Sequence, residues 1–259
     1  MYVQPKKQLG QHFLKDQSIA ERIAQTLPSD GPAHVLEIGP GTGVLTQFLL
    51  EDPRLDVQVI ELDGESVEYL KENFPDLKGR ILFADFLRYD LSTLFNGEPF
   101  MLIGNYPYNI SSQIFFKALE YKDRIPFISG MLQKEVAERL ASPPGKKAYG
   151  ILSVLLQAYY KIEYLFTVPP GVFNPPPKVN SAVLKMTRND RTSLDCDEKL
   201  FKTVIKTCFN QRRKTIRNSI KPLLGDAFDK AGTPLLDKRP EQLSVEQFVE
   251  LTNWVQAQL

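Results

Sequence analysis

The sequence predicts an α/β fold built on a mostly parallel sheet, followed by a small domain made of helices. Three observations support this prediction. Between about residues 33 and 135, short apolar runs rich in β-branched residues alternate with segments of helical periodicity. A glycine-rich turn follows the first of these runs. From about residue 190 the pattern is helical to the end, so we expect domains at residues 1–188 and 189–259.

The expected strands are short, and helical or turn-forming segments separate them. In chain order the first strands cover residues 35–38, 57–60, 81–83, 100–103 and 127–132. A helix is expected over residues 151–158, after a Pro-Pro-Gly turn. Two further strands, at residues 162–168 and 182–186, would complete the sheet.

The composition is typical of a globular protein. Of the 259 residues, 42% are hydrophobic and 24% are charged, which allows a substantial core. No run approaches the roughly 20 apolar residues of a membrane span and the amino terminus is polar, so we expect a cytoplasmic protein. The two cysteines suit a reduced compartment. Only two histidines are present, which argues against a multi-histidine site, and no metal is expected.

The net charge is only +1, but the basic residues are unevenly distributed. No acidic residue interrupts the cations between residues 199 and 222, and this favours an anionic partner over a solvated helix face without one. We expect the first helix of the second domain to pack an apolar face inward and to present a basic face to solvent. The apolar face consists of Phe201, Val204, Ile205 and Cys208, and the basic face of Lys199, Lys202, Lys206, Arg213 and Arg217.

The glycine-rich turn at residues 39–43 lies between the first expected strand and a helical segment. Such a turn can be purely structural, but Glu61 follows Gly41 by twenty positions, at the end of the second strand. A carboxylate there can accept hydrogen bonds from a ribose diol, which indicates an adenosine-type cofactor. Asp85, at the end of the third strand, could accept the adenine amine.

Two adenosine-type cofactors fit these carboxylates. Nicotinamide dinucleotides prefer the spacing Gly-x-Gly-x-x-Gly, which Val44 interrupts after Gly39 and Gly41. S-adenosylmethionine has a charged sulfonium and no pyrophosphate, and it tolerates a nearby acid such as Glu37. The sequence therefore favours S-adenosylmethionine.

The segment Asn105-Tyr106-Pro107-Tyr108 follows the fourth strand and is either an ordinary proline turn or a catalytic site. The catalytic alternative considers methylation of the exocyclic amine of adenine. This amine is a poor nucleophile because its lone pair is delocalised into the ring. If the Asn105 side-chain oxygen and the carbonyl of Tyr106 or Pro107 accept the amine hydrogens, the lone pair can point at a methyl group. Proline fixes the local backbone, and Tyr108 can stack on a base that has left its own stack.

A second aromatic residue could close a sandwich around that base. Phe173 precedes the rigid, proline-rich segment 175–177, and if exposed it would suit the opposite face of the base. The alternative is a structural turn between strands with Phe173 in the core.

The chain resembles the ribosomal RNA adenine dimethyltransferases that modify small-subunit RNA. The similarity extends from residue 10 to the carboxyl-terminal helices. It includes GQHFL at residues 10–14, LEIGPG at 36–41, ELD at 61–63, NYPYNIS at 105–111, MLQKEV at 131–136, KAYG at 147–150, PPPKVNSAV at 175–183 and FNQRRKTIRNS at 209–219.

This resemblance implies a Rossmann-like, S-adenosylmethionine-dependent methyltransferase domain with a helical RNA-binding domain. It also implies dimethylation of two neighbouring adenosines near the 3′ end of small-subunit RNA, with the immature subunit as partner and the enzyme as a monomer. The residues implied around the cofactor are His12, Leu14, Gly39, Glu61, Asp85 and Asn105, and those at the RNA are Arg212, Arg213, Lys214 and Arg217.

Two positions depart from the pattern of this family. The family often has Asn in place of His12, and it commonly has Leu or Ile in place of Tyr106, which leaves the size of the pocket open. Two other functions compete with the expected one. The chain could methylate an adenine of large-subunit RNA, as the related macrolide-resistance enzymes do, or it could bind immature subunits without catalysis.

Overall fold

The structure is a computed structural model and describes residues 3–225 and 232–259. Two compact units make up the chain, namely Met1–Ala137 with Ile162–Arg188, and Glu138–Lys161 with Asn189–Leu259. The sequence predicts a single boundary after residue 188, so the structure differs in grouping residues 138–161 with the helical unit. The physical reason is a helix over Ile151–Gln157 whose residues 152–156 are all buried and which packs against the helix Glu198–Asn210.

Most strands of the described residues belong to one sheet of seven, in the order β4-β3-β2-β5-β6-β9-β7, and β1 and β8 form a separate ribbon. The pairs β2–β3, β2–β5, β3–β4 and β5–β6 are parallel, and β6–β9 is antiparallel. The strands are β1 (Phe13–Leu14), β2 (Ala33–Ile38), β3 (Leu55–Glu61), β4 (Ile81–Phe83), β5 (Phe100–Asn105), β6 (Phe127–Gln133), β7 (Tyr160–Val168), β8 (Phe173–Asn174) and β9 (Ser181–Arg188).

The helices flank the strands in the first unit and form most of the second. They are α1 (Gln17–Ala24), α2 (Thr46–Leu50), α3 (Gly64–Asn73), α4 (Ser111–Glu120), α5 (Lys134–Ala141), α6 (Ile151–Gln157), α7 (Glu198–Asn210), α8 (Ile216–Ser219), α9 (Lys221–Leu224) and α10 (Val245–Gln256).

The predicted sheet is confirmed, since every expected strand of the sheet is present with its ends shifted by at most a few residues. The buried strands have apolar faces on both sides, as in residues 100–103 of β5, because helices cover the sheet. The strand order and the parallel pairs have the Rossmann-like form that the resemblance implies. The ribbon of β1 and β8 was not predicted, because two-residue strands carry no periodicity.

The strand order reverses between β2 and β5, which are neighbours although β3 and β4 lie between them in sequence. At such a point the connections leave in opposite directions and open a crevice at the carboxyl ends of the strands. The register pairs Ile38 with Ile60, and Glu37 with Ile103. The segments that begin at Gly39, Glu61 and Asn105 therefore emerge at the same edge of the sheet.

Helix α7 confirms one face of the amphipathic prediction and corrects the other. Its apolar residues, including Phe201 and Cys208, are buried as expected. However, α7 ends at Asn210, and a turn closed by the Lys214 N–H and the Gln211 carbonyl follows it. Arg213 therefore lies in that turn and Arg217 in α8, so the expected single basic face was wrong. Within the described residues, no helix is long and apolar enough to span a membrane.

Candidate functional site

The segment before β1 lies across the carboxyl ends of the sheet strands. β1 pairs with β8, and the Lys15 N–H donates to the Val172 carbonyl at 2.8 Å. Near the start of the segment, the Asn109 side-chain amide donates to the Gln8 carbonyl at 3.3 Å. Residues 9–13 are therefore held over the crevice from both ends.

Beneath this segment lies a cavity of about 170 Å³ at the edge where the strands β2, β3 and β5 end. Its walls are the amino-terminal segment, the glycine turn, the end of β3, the loop after β4 and the segment after β5. The expected site residues among its lining are His12, Gly39, Glu61, Asp85, Asn105, Pro107 and Tyr108. The structure thus brings the glycine turn and the segment Asn105–Tyr108, which are more than sixty residues apart in the sequence, to one cavity.

The glycine turn needs glycine at Gly39 for its backbone conformation and at Gly41 for both its conformation and its close approach to a neighbour. Gly39 and Gly41 have φ angles of 66° and 56°, a region that glycine adopts without strain. A Cβ on Gly41 would lie 2.9 Å from the Phe13 ring, and one on Gly39 would lie 3.6 Å from Pro107. The bare backbone of this turn leaves room for a ligand between β2 and the segment after β5.

Glu61 is only 6% exposed, and backbone donors hold its carboxylate. Its Oε1 accepts the N–H groups of Leu62 and Asp63 at 2.8 and 2.9 Å, and its Oε2 accepts that of Gly41 at 3.1 Å. Burial raises the pKa of Glu61, and these hydrogen bonds oppose the shift. A carboxylate can accept about four hydrogen bonds, so Oε2 can still receive a ribose hydroxyl.

Asp85 lines the same cavity as the glycine turn, and it lies in the loop after β4 together with Phe86 and Leu87. Its Oδ1 accepts the N–H of Leu87 at 2.9 Å, and its Oδ2 lies 3.6 Å from the Arg88 guanidinium. The Oδ2 atom is therefore available to a further donor.

The side-chain amide of Asn105 is oriented by a contact with the amino-terminal segment. Its Nδ2 donates to the backbone carbonyl of His12 at 3.0 Å. A carbonyl can only accept, so this contact fixes which side-chain atom of Asn105 is nitrogen and leaves Oδ1 as an acceptor at the cavity. The predicted role of Asn105 as a hydrogen-bond acceptor fits this orientation.

The second predicted acceptor is the carbonyl of either Tyr106 or Pro107. The Pro107 carbonyl already accepts the N–H of Ile110 at 3.2 Å. The Tyr106 carbonyl is therefore the simpler acceptor for the second amine hydrogen. The side chain of Tyr106 is buried against β6. It is 1% exposed, and its hydroxyl donates to the Ser129 carbonyl at 2.6 Å.

Tyr108 is held at both its hydroxyl and its ring. The hydroxyl makes a short hydrogen bond with the Ser181 hydroxyl, and the ring stacks on the His12 imidazole with centroids 5.2 Å apart and an interplanar angle of 30°. His12 in turn donates from Nδ1 to the Pro175 carbonyl at 2.8 Å. Sequence reasoning missed this stack, because nothing in the local pattern links residues 12 and 108.

Phe173 does not serve as the expected second aromatic of the base site. It is 1% exposed and lies in the hydrophobic core with Leu14 and Val172, because β8 pairs with β1 and turns the ring inward. The expectation of an exposed, stacking Phe173 was therefore wrong, and the structural alternative holds. Leu14 itself is 6% exposed and lines a smaller cavity of about 30 Å³ beside Asn105.

That smaller cavity also contains Glu37, at the carboxyl end of β2. Glu37 is 1% exposed, and its Oε2 accepts the Thr46 hydroxyl at 2.6 Å. Burial raises the pKa of Glu37 to about 8, with the nearby Glu61 adding to the shift and Thr46 opposing it. Glu37 therefore keeps its proton to a higher pH than an exposed glutamate does.

The four expected RNA-binding residues differ in their surroundings within the helical unit. Arg213 and Lys214 are exposed in the turn after α7. Arg212 donates to the Lys147 carbonyl, and Arg217 forms a fork to Asp237 Oδ1, with Nε at 3.2 Å and Nη2 at 2.7 Å. Arg213 and Lys214 are therefore the cations of this group best placed to meet phosphate.

Comparison with known proteins agrees with this geometry. The family model described as ribosomal RNA adenine dimethylase matches residues 3–257. The ribosomal RNA small subunit methyltransferase A of Parabacteroides distasonis is 72% identical over 250 residues, which are 96% of this chain and 93% of that protein.

Two solved structures share the fold. The dimethyladenosine transferase from Plasmodium falciparum gives a TM-score of 0.74 at 25% identity, over 93% of this chain and 96% of that chain. The 23S rRNA methyltransferase ErmE gives 0.69 at 27% identity, over 93% and 99% respectively. The fold, the cavity and these similarities define the protein as a Rossmann-like methyltransferase. The chain belongs to the ribosomal RNA adenine dimethylase family.

Proposed function

We propose that this protein transfers methyl groups from S-adenosylmethionine to the N6 amines of two adjacent adenosines near the 3′ end of small-subunit ribosomal RNA. The relatives that support this substrate are named as small-subunit methyltransferases. We further propose that its partner is the immature small subunit, and that the enzyme acts on it as a monomer in the cytoplasm.

The orientation of Asn105 is the observation that carries this proposal. Because Nδ2 is engaged by the His12 carbonyl, Oδ1 accepts one hydrogen of the target amine, and the Tyr106 carbonyl accepts the other. Both acceptors draw the amine lone pair out of conjugation and aim it along one direction. Acceptors that are held before the substrate arrives lower the barrier without reorganising during the reaction.

The residues of the cavity fit S-adenosylmethionine. Glu61 Oε2 can accept a hydrogen bond from a ribose hydroxyl, and Asp85 Oδ2 can accept one from the adenine amine. Gly39 has no side chain, so a ligand can approach the backbone there. When bound, S-adenosylmethionine supplies an electrophilic methyl group on a positively charged sulfonium. Glu61 lines this cavity and Glu37 lines the smaller cavity beside Asn105, and a positively charged sulfonium bound nearby would favour the ionised form of both carboxyl groups.

The target base must leave its own stack to reach this site, as in other enzymes that act on bases. Tyr108 offers one ring face to it, because the other face is covered by His12. The hydroxyl contact with Ser181 fixes the position of the far end of that ring. In this proposal the target base stacks on one face of Tyr108 and His12 covers the other face. This arrangement takes the place of the sandwich of the base between Tyr108 and Phe173.

RNA is held in part by the exposed turn after α7 in this proposal. Arg213 and Lys214 present two cations there. Phosphate contacts of this kind position the RNA without reading its sequence.

Methylation of large-subunit RNA is the second candidate, and the similarity to ErmE is the observation in its favour. A methylation assay with purified protein separates the two. Small-subunit particles lacking the modification and naked large-subunit RNA are each incubated with S-adenosylmethionine, and N6,N6-dimethyladenosine is measured by mass spectrometry. We expect product only in the small-subunit RNA. Product only in the large-subunit RNA would replace our proposal with the second candidate.

A purely structural assembly factor is the third candidate, and calorimetry tests it. We expect S-adenosylmethionine to bind to the purified protein with one site per chain. Absence of binding would leave only the role in assembly.

A further inference from the structure

The catalytic segment contains two tyrosines, Tyr106 and Tyr108, and the hydroxyl of Tyr106 bonds to the strand β6. Residue 106 belongs to the lining of the cavity, but its hydroxyl is not directed there. The side chain turns under the segment instead, where it is 1% exposed and its hydroxyl donates to the Ser129 carbonyl at 2.6 Å.

The main chain of Tyr106 is tied to the same strand. Its N–H donates to the Met131 carbonyl at 2.9 Å, so residue 106 spans β6 from position 129 to position 131. The two hydrogen bonds hold opposite ends of one residue. Its carbonyl, which is the proposed acceptor of an amine hydrogen, is attached to the Cα atom that both hydrogen bonds help to hold.

Ser129, the anchor of the hydroxyl, is itself immobilised. Its Oγ contacts the Thr26 hydroxyl at 2.6 Å and donates to the Leu184 carbonyl at 3.1 Å. Ser129 is fully buried within the strand β6, between β5 and β9. The Tyr106 hydroxyl is thus bonded to the centre of the sheet rather than to a loop.

Gly130 provides the space in which the ring lies. Its φ is 145°, and a Cβ there would lie 2.7 Å from Tyr106 Cε2 and 2.1 Å from the Gly104 carbonyl oxygen. The ring therefore lies directly over the backbone of Gly130. On another side, Phe115 meets it edge-on at a centroid distance of 5.4 Å and an angle of 77°.

We infer that the Tyr106 side chain is a positioning residue for methyl transfer, which clamps the catalytic segment to β6 and fixes the direction of the residue-106 carbonyl. This inference rests on the proposed function, in which that carbonyl accepts an amine hydrogen. The hydroxyl that forms the clamp is bonded to β6 and not to a group in the cavity. Its loss should therefore reduce turnover without changing the binding of either.

Tyr106→Phe tests the clamp, since it removes the hydroxyl and keeps the ring over Gly130. We expect kcat to fall about 10-fold, with KM for RNA and Kd for S-adenosylmethionine within about 2-fold of the wild type, because small misplacements of reacting groups are costly. Tyr106→Leu, which removes ring and hydroxyl together, should lower kcat further. The matched control is Tyr149→Phe, which removes a buried hydroxyl without a hydrogen-bond partner among the described residues, and it should leave kcat unchanged.

Hydrogen exchange of the residue-106 amide gives a second readout that does not depend on catalysis. Because this amide donates to Met131, loosening of the clamp should reduce its protection in Tyr106→Phe by about 10-fold, and not in Tyr149→Phe. Wild-type kcat in Tyr106→Phe, or unchanged protection of this amide, would overturn the inference. If the wild-type protein methylates no ribosomal RNA, the proposed function fails, while the exchange measurement still decides whether the clamp exists.

Discussion

The Asn105 side-chain amide donates to the His12 carbonyl across 3.0 Å, although 93 positions separate the two residues in the sequence. This contact couples the segment that covers the cofactor cavity to the residue that is proposed to orient the target amine. The same segment also covers one face of Tyr108 through the His12 imidazole. The amino-terminal segment is therefore part of the catalytic geometry.

Replacement of Asn105 by Ala should lower turnover by about 10²-fold or more, because it removes a preorganised acceptor. Cofactor affinity should remain nearly intact, since Glu61 and Asp85 are retained. Single-turnover methylation and calorimetry measure the two quantities separately. Asn73→Ala, an amide-to-methyl change on the exposed face of α3, serves as the control. Turnover at the wild-type rate in Asn105→Ala would remove this residue from the mechanism.

Asp85 is expected to recognise the adenine amine of the cofactor. Asp85→Ala should weaken S-adenosylmethionine binding about 10-fold or more, the cost of a hydrogen bond to a charged group. The sharper test uses a cofactor analogue in which hydrogen replaces the adenine amine. The wild type should bind the analogue less tightly than S-adenosylmethionine, whereas Asp85→Ala should bind both equally. If the wild type does not distinguish the two ligands, Asp85 does not contact the amine.

Glu37 should make the protein less stable as the pH rises. Its pKa is raised from the ordinary value of 4.5 to about 8, so between these values the native state keeps a proton that the unfolded state has released. The free energy of unfolding must then fall with pH, by at most about 1.4 kcal/mol per unit from this group. Urea unfolding of the wild type and Glu37→Gln at pH 5.5 and pH 7.5 tests this, because glutamine resembles the neutral acid. From pH 5.5 to pH 7.5, the free energy of unfolding should fall by about 2 kcal/mol less in Glu37→Gln than in the wild type. An identical pH dependence of the two proteins would contradict the raised pKa of Glu37.

The exposed cations after α7 should contribute to RNA affinity through phosphate contacts. Replacing Arg213 and Lys214 by Ala should weaken binding and reduce the slope of log Kd against log salt by about one unit for each lost contact. The control variant replaces Lys78 and Arg80, which precede β4 at the opposite edge of the sheet from the cavity. The control should keep the wild-type slope. An unchanged slope in the Arg213 and Lys214 variant would exclude RNA contact at this turn.

The sheet and the cofactor edge could be predicted because both follow from short-range patterns. Apolar runs such as residues 100–103 must be buried, and parallel connection brings Gly39, Glu61 and Asn105 to one edge whatever the details of packing. Local sequence patterns were therefore enough to predict which edge of the sheet holds the candidate site.

Contacts between distant segments could not be predicted in the same way. The ribbon of β1 and β8 buries Phe173, and the residues around the proline-rich segment carry no signal that distinguishes a buried ring from an exposed one. The end of α7 at Asn210 depends on a turn of hydrogen bonds within a basic, helix-compatible run. The inward rotation of Tyr106 depends on Gly130, a residue in another strand whose role appears only once β5 and β6 are paired.

The most direct test of the central claim is mass spectrometry of small-subunit RNA from cells that lack this protein, complemented with either the wild type or Asn105→Ala. The account predicts that two adjacent N6,N6-dimethyladenosines near the 3′ end are absent from the deletion strain, are restored by the wild type and are not restored by the variant at equal expression. Dimethylated adenosines that persist in the deletion strain, or that return with Asn105→Ala, would contradict it.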